Sequence, residues 1–167
     1  KLIPFTIQVG RASYPDLAPG RNTNNLYDCK LAVNQFYSPM ITRAAIIGAA
    51  LTEGSLPIDH TVKHSVKISL RNSHDSSPLR EFAFENITSQ MSVDPLALRT
   101  ASLVAILMNN PYRNVEITSI DCSMQITPKN SIAVIESVNL SQNIVRAGES
   151  IGICVELAEY MSRKSRY

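Results

Sequence analysis

Charged residues are scarce in this sequence, at 18% of 167 positions against about 25% in typical soluble domains. Together with 44% hydrophobic residues, that scarcity excludes intrinsic disorder and calls for a well-covered interior. Neither sign of charge is in excess, since 16 Lys and Arg face 14 Asp and Glu for a formal charge of +2. There is thus no general electrostatic reason to bind nucleic acid or an anionic membrane. Long apolar runs are missing as well. The longest, Ala44 to Leu51, is far short of the roughly 20 residues that cross a bilayer, so no membrane span is expected.

Chemical motifs are equally sparse. The six glycines are too scattered to cradle a phosphate, no serine stands in GxSxG, and no GxGxxG joins a strand to a helix. Cys29, Cys122 and Cys154 have no CxxC spacing and are odd in number, so no disulfide framework can use all of them. They read as buried or silent thiols. His60 and His64 have the i, i+4 spacing of paired zinc ligands on a helix, but they fall on a strand, where four residues span roughly 13 Å and one zinc cannot bridge them. His64 reads as a core histidine satisfied by a hydrogen bond, and His74 as an exposed turn residue. Asp121, Glu116 and Glu136 are carboxylates that neighbouring strands could bring together, although strand carboxylates on a water face are ordinary. Asn86 with Thr88 and Asn139 with Ser141 match the glycosylation sequon by chance. No catalytic, cofactor-binding or metal-binding residue is therefore assigned, and no cofactor is expected.

What is present is pattern. Phe5 to Val9 alternates as a strand, and residues Ala12 to Asp28, with two prolines and three asparagines, read as turns. Cys29, Leu31 and Val33 alternate again. Ser38 and Pro39 are a helix start, with Pro39 to Leu51 as the body. Val62, His64, Val66, Ile68 and Leu70 share one face of a clear strand, with a return strand around Phe82 and Phe84. Asp94 as cap and Pro95 to Leu107 form a second helix. Val115 to Ile126 is a long strand whose apolar phase breaks, as a bulge near Thr118 and Ser119 would produce. Ile132 to Leu140 and Ile151 to Leu157 are further strands around the turn VRAGES, followed by a basic tail.

Setting the helices together at an offset of 56 matches Pro39 with Pro95, Arg43 with Arg99 and Leu51 with Leu107. An internal duplication of a strand, helix, strand, strand unit is the expectation; two similar helices of separate origin are the plainer alternative. Both helices have too few polar residues for a surface helix. Either sheets enclose them or part of their apolar surface meets another domain or subunit.

The order of KLIPFTIQVG, SPMITRAAIIGAAL, HTVKHSVKISL, FAFENI, LMNNPYRNVEITSIDCSMQI and IESVNLSQNIVRAGESIGICVEL resembles the region after the catalytic domain in large bacterial proteins related to the stage IV sporulation protein B serine peptidases. Neither the serine segment nor the upstream histidine of that family occurs here. The resemblance therefore implies a non-catalytic accessory region, extracytoplasmic, in the cell envelope. A chain that begins with Lys1 and shows no signal segment reads as a piece of something longer.

The expected class is α+β. Residues 1–130 would form antiparallel sheet with two buried helices, 131–160 a strand pair opening an immunoglobulin-like sandwich, and 161–167 a tail or linker. Expected partners are other domains of a longer chain or other subunits, with self-association among the options and no nucleic acid. Two competing readings are a structural subunit of a large envelope assembly and a hydrolase with a dispersed Ser, His and acid site.

Overall fold

The computed structural model describes residues 1–12, 23–52, 54–72, 80–89, 92–112, 115–142, 144–159 and 165–166. The chain is of the α+β class and divides into two compact units, Lys1–Lys129 and Asn130–Tyr167. The first runs β1 (Leu2–Arg11), β2 (Thr23–Ala32), α1 (Tyr37–Leu51), β3 (Thr61–Asn72), β4 (Arg80–Thr88), α2 (Asp94–Met108) and β5 (Val115–Thr127).

Its strands lie in the order β2-β1-β5-β3-β4. Hairpins β1–β2 and β3–β4 are antiparallel, and β5 enters between them, antiparallel to β3 and parallel to β1. The sheet is thus mixed where an antiparallel one was expected. The reason is geometric: β1 and β3 run in opposite directions, so a strand seated between them must run with one of the two.

Alternation assigns the core. Ile3, Phe5, Ile7 and Val9 of β1, Val62, Val66 and Ile68 of β3, and Ile120, Met124 and Ile126 of β5 are at most 4% exposed and share one sheet face. Ile46, Ala49 and Ala50 of α1 and Leu96, Ala97 and Val104 of α2 join the same cluster. Gln8, Lys63, Lys67 and Asp121 point the other way, to solvent. The phase break in β5 is a bulge at Thr118: Ser69 pairs with Ser119 while Leu70 pairs with Ile117. The extra residue returns both Ile117 and Ile120 to the core, and the Thr118 hydroxyl donates to the Ser69 carbonyl at 3.1 Å.

Several local expectations change. Residues 13–22 and 73–79 lie outside the described residues, so the turns read there and the exposed His74 are not placed. Thr23 to Asp28, read as turn, is strand, because pairing with β1 extends to Arg11 opposite Thr23 and outweighs the turn preference of asparagine. Ser38 is not the cap of α1. Asn34 takes that role, its Oδ1 accepting from the Phe36 and Tyr37 amides. Ser38 lies buried in the first turn, donating to the Ala32 carbonyl. Asp94 likewise does not cap α2; its own amide donates to Ser92 Oγ. At the other end of α1, Arg11 reaches over from β1 and donates to the Ala50 and Gly54 carbonyls at 2.7 and 3.0 Å, a cation where the helix dipole favours one.

The two halves of the first unit are each strand, strand, helix rather than strand, helix, strand, strand. The helices share one sheet and pack on each other, but not in the alignment their sequences favour. Buried Ser38, Thr42 and Ile46 of α1 correspond to buried Leu96, Thr100 and Val104 of α2, a shift of 100 minus 42, or 58. Thr42 and Thr100 even make the same bond, each hydroxyl donating to the carbonyl four residues earlier. The offset of 56 instead lays buried Thr42 on exposed Leu98.

The second unit is β6 (Ala133–Leu140), β7 (Ile153–Glu159) and β8 (Ser165–Arg166), one sheet in that order. The segment read as a tail thus contributes a short strand, Ser165 and Arg166 pairing with Leu157 and Glu156. A turn closes with the Glu149 amide donating to the Arg146 carbonyl, and Gly148 at φ 94° supplies the left-handed position that turn requires.

Because Ile120 is fully buried on the central strand, Ile120→Ala should cost about 2 to 5 kcal/mol in urea unfolding of the first unit. Ile135→Ala, at a site 62% exposed, should leave that transition unchanged.

Candidate functional site

Pairing β3 with β5 sets His64 beside Cys122, and its Nε2 lies 3.2 Å from the thiol sulfur. A cysteine and a histidine at this distance are the parts of an activated nucleophile, so their charge states decide the reading. Both side chains are buried under the helices, His64 at 0% exposure. Burial holds the imidazole pKa down to about 4 and pushes the thiol up to about 12. At neutral pH the pair is neutral imidazole and protonated thiol, the opposite of the thiolate beside a cation that makes cysteine reactive. The Phe84 ring meets His64 edge-on at 5.9 Å, and Arg99 lies over Phe84 at 5.5 Å. His64 is therefore a core histidine, hydrogen-bonded through Nε2, while its Nδ1 finds no hydrogen-bond partner among the described residues. Cys122 was not linked to His64 from sequence; both lie on inward parities, but the register between their strands is not written locally.

The other residues singled out do not converge. His60 lies just before β3, buried, its Nδ1 at 2.6 Å from the Pro57 carbonyl. Glu116 and Asp121 both lie on β5, the former ion-paired with Lys1 and the latter paired in register with Lys67. Glu136 belongs to the second unit. Cys29, Cys122 and Cys154 are all free thiols. A cavity of about 560 Å³ at one end of the first sheet is lined in part by Lys1, Asn34, Phe36, Met108 and Glu116. Of its polar groups, Asn34 caps α1 and Glu116 pairs with Lys1. Among the described residues no three His, Cys, Asp or Glu side chains cluster as a metal site, and no helix is long and apolar enough to cross a membrane.

Two surfaces stand out instead. In the second unit, pairing of Leu140 with Ile153, Val138 with Val155 and Ile135 with Leu157 puts six apolar side chains on one face. A bulge at Glu136 keeps Ile135 in phase with the rest. Ser137 and Glu156 lie on the reverse face, joined by a 2.8 Å hydrogen bond. None of the described residues of this unit is buried. In the first unit, the side of the helix layer turned away from the sheet exposes Tyr37, Met40, Ile41 and Leu51 of α1 and Leu98 and Ile106 of α2. Arg43 ties the two helices, its Nε and one terminal nitrogen each 2.7 Å from an Asp94 carboxylate oxygen. That guanidinium holds the Asp94 carboxyl below its usual pKa.

No family model, curated protein or solved structure matches the chain. The surfaces described above must carry the functional reading.

Burial of neutral His64 has a pH signature. An unfolded imidazole takes up its proton near pH 6.5 and the folded one only near 4, so between these values the unfolded state binds more protons. The contribution of His64 to stability should be constant above about pH 7 and fall by up to about 3 kcal/mol as pH drops from 6.5 to 4. In His64→Leu this part of the slope should vanish, measured by urea unfolding across that range.

Proposed function

We propose that this chain is a non-catalytic accessory region of a larger bacterial envelope protein, working through contacts with other domains or subunits. The observation that carries this reading is the wholly apolar sheet face of the second unit. A small sheet gains independent stability only by burying one face, and here Leu140, Val138 and Ile135 remain about half exposed or more. A covering layer is what this surface is built to receive. The exposed apolar helix layer of the first unit supports the same reading. The resemblance to regions that follow sporulation-type peptidase domains supports the extracytoplasmic setting. The neutral, buried state of His64 and Cys122 favours contact over turnover, and so does the separation of Glu116 and Asp121 along one strand.

A photo-crosslinking residue at Val138, in the protein expressed in its own cells, tests this. The expected result is a discrete adduct whose peptides, identified by mass spectrometry, come from one protein or from one segment of the parent chain. The same residue at Lys67, on the polar sheet face of the first unit, should give none. Absence of any discrete adduct at Val138 would sink the reading.

A further inference from the structure

We propose that the cavity at the end of the first sheet is a binding site for a neutral sugar ring, a role separate from the contacts proposed above. At about 560 Å³ it falls within the ~300–1,000 Å³ of small-molecule pockets. Part of its wall is apolar, with Ile3, Met108 and Ile117 among the residues that line it. Its remaining groups decide what it can hold.

Charge is present there but balanced. Lys1 and Glu116 both line the cavity and pair with each other. The start of α1, through Asn34 to Phe36, and the end of α2, at Met108, also meet there, so the positive end of one helix dipole lies near the negative end of the other. An anionic or cationic ligand would take one member of the ion pair and leave the other without a partner. A wholly apolar ligand would strip water from that pair and from the Asn34 and Gln35 amides without replacing its hydrogen bonds. What satisfies all of them is a neutral molecule that carries donors and acceptors on an apolar frame.

Exposed aromatic rings narrow the choice further. Phe36 lines the cavity and is 71% exposed, so its ring is open to a ligand at the rim. Tyr112, 92% exposed, follows α2 between two lining residues, Met108 and Val115. A pyranose has the matching division: its C–H groups form an apolar face that lies on an aromatic ring, and the hydroxyls around its edge both donate and accept. Toward such hydroxyls Lys1 is a donor, Glu116 an acceptor and Gln35 either. Asn34 is already oriented for the task, because its Oδ1 is fixed by the Phe36 and Tyr37 amides at 2.9 and 3.0 Å, which leaves its amide nitrogen as a held donor.

Amide NMR shifts of the full chain, titrated separately with N-acetylglucosamine and with maltose, test the site. At least one of the two sugars should shift residues 33–37, 108 and 115–117 with millimolar affinity and leave β4 unmoved. Phe36→Ala should weaken that binding by about 10-fold, and Gln35→Ala several-fold. Both positions are exposed, so urea unfolding of the first unit should not change in either variant. Cyclohexanol has a six-membered ring with a single hydroxyl; if it shifts these residues as strongly as the sugars do, the cavity is only an apolar hollow and the inference falls. It falls equally if neither sugar moves them at tens of millimolar, if a neutral dipeptide moves them in the sugars' place, or if sugar binding is indifferent to Phe36→Ala. The Val138 adduct reports on the second unit, so its outcome and these are independent.

Discussion

The first unit depends on the seating of β5 between β1 and β3. Each ββα half can make a hairpin and lay a helix across it, but neither hairpin has a partner for its inner strand. The last strand of the unit supplies both. Its inward residues Ile120, Met124 and Ile126 lie against Phe5, Val9, Val62 and Ile68 from the two halves, so the core closes only when β5 arrives. Such pairing joins residues far apart in sequence, which costs loop entropy before contacts repay it. The Thr118 bulge belongs to the same constraint. Without it, either Ile117 or Ile120 would turn toward water.

With the sheet assembled, the helices take a fixed role. They bury one stripe on the sheet and meet each other, held at the surface by Arg43 and Asp94. Buried Ser38, Thr42 and Thr100 satisfy their hydroxyls on nearby carbonyls, so these polar residues enter the core at little cost. What is left over is an apolar outer surface, and the second unit has a comparable surplus on its sheet. Both surfaces arise from the low charged fraction of the chain, since there are too few charges to cover every face that the core does not use.

The His64–Cys122 pair shows why proximity alone does not make a site. The same two side chains in a cleft, near a cation or a helix N-terminus, would share a proton in the way a nucleophile needs. Under two helices and beside Phe84, desolvation drives each toward its neutral form. The surroundings, rather than the identity of the pair, decide the chemistry.

Alternation and helix-forming composition were readable directly: both helices, the inward face of β3, the phase break in β5 and the α+β class follow from residues near one another in sequence. Local preference determines these because side-chain direction repeats every two residues in a strand and every 3.6 in a helix. Elsewhere local preference was outvoted. Asn24 and Asn25 favour turns yet lie in β2 because β1 pairs with them, and Asp94 looks like a cap yet reaches across to Arg43. Helix propensity aligned the two helices at 56, while packing aligned them at 58, since burial depends on which stripe meets the sheet. The strand order, the parallel pairing of β1 with β5, the meeting of His64 with Cys122 and the apolar faces left uncovered were decided only by the tertiary structure. Each rests on register between distant segments, and register is settled by which pairing buries the most apolar surface at once.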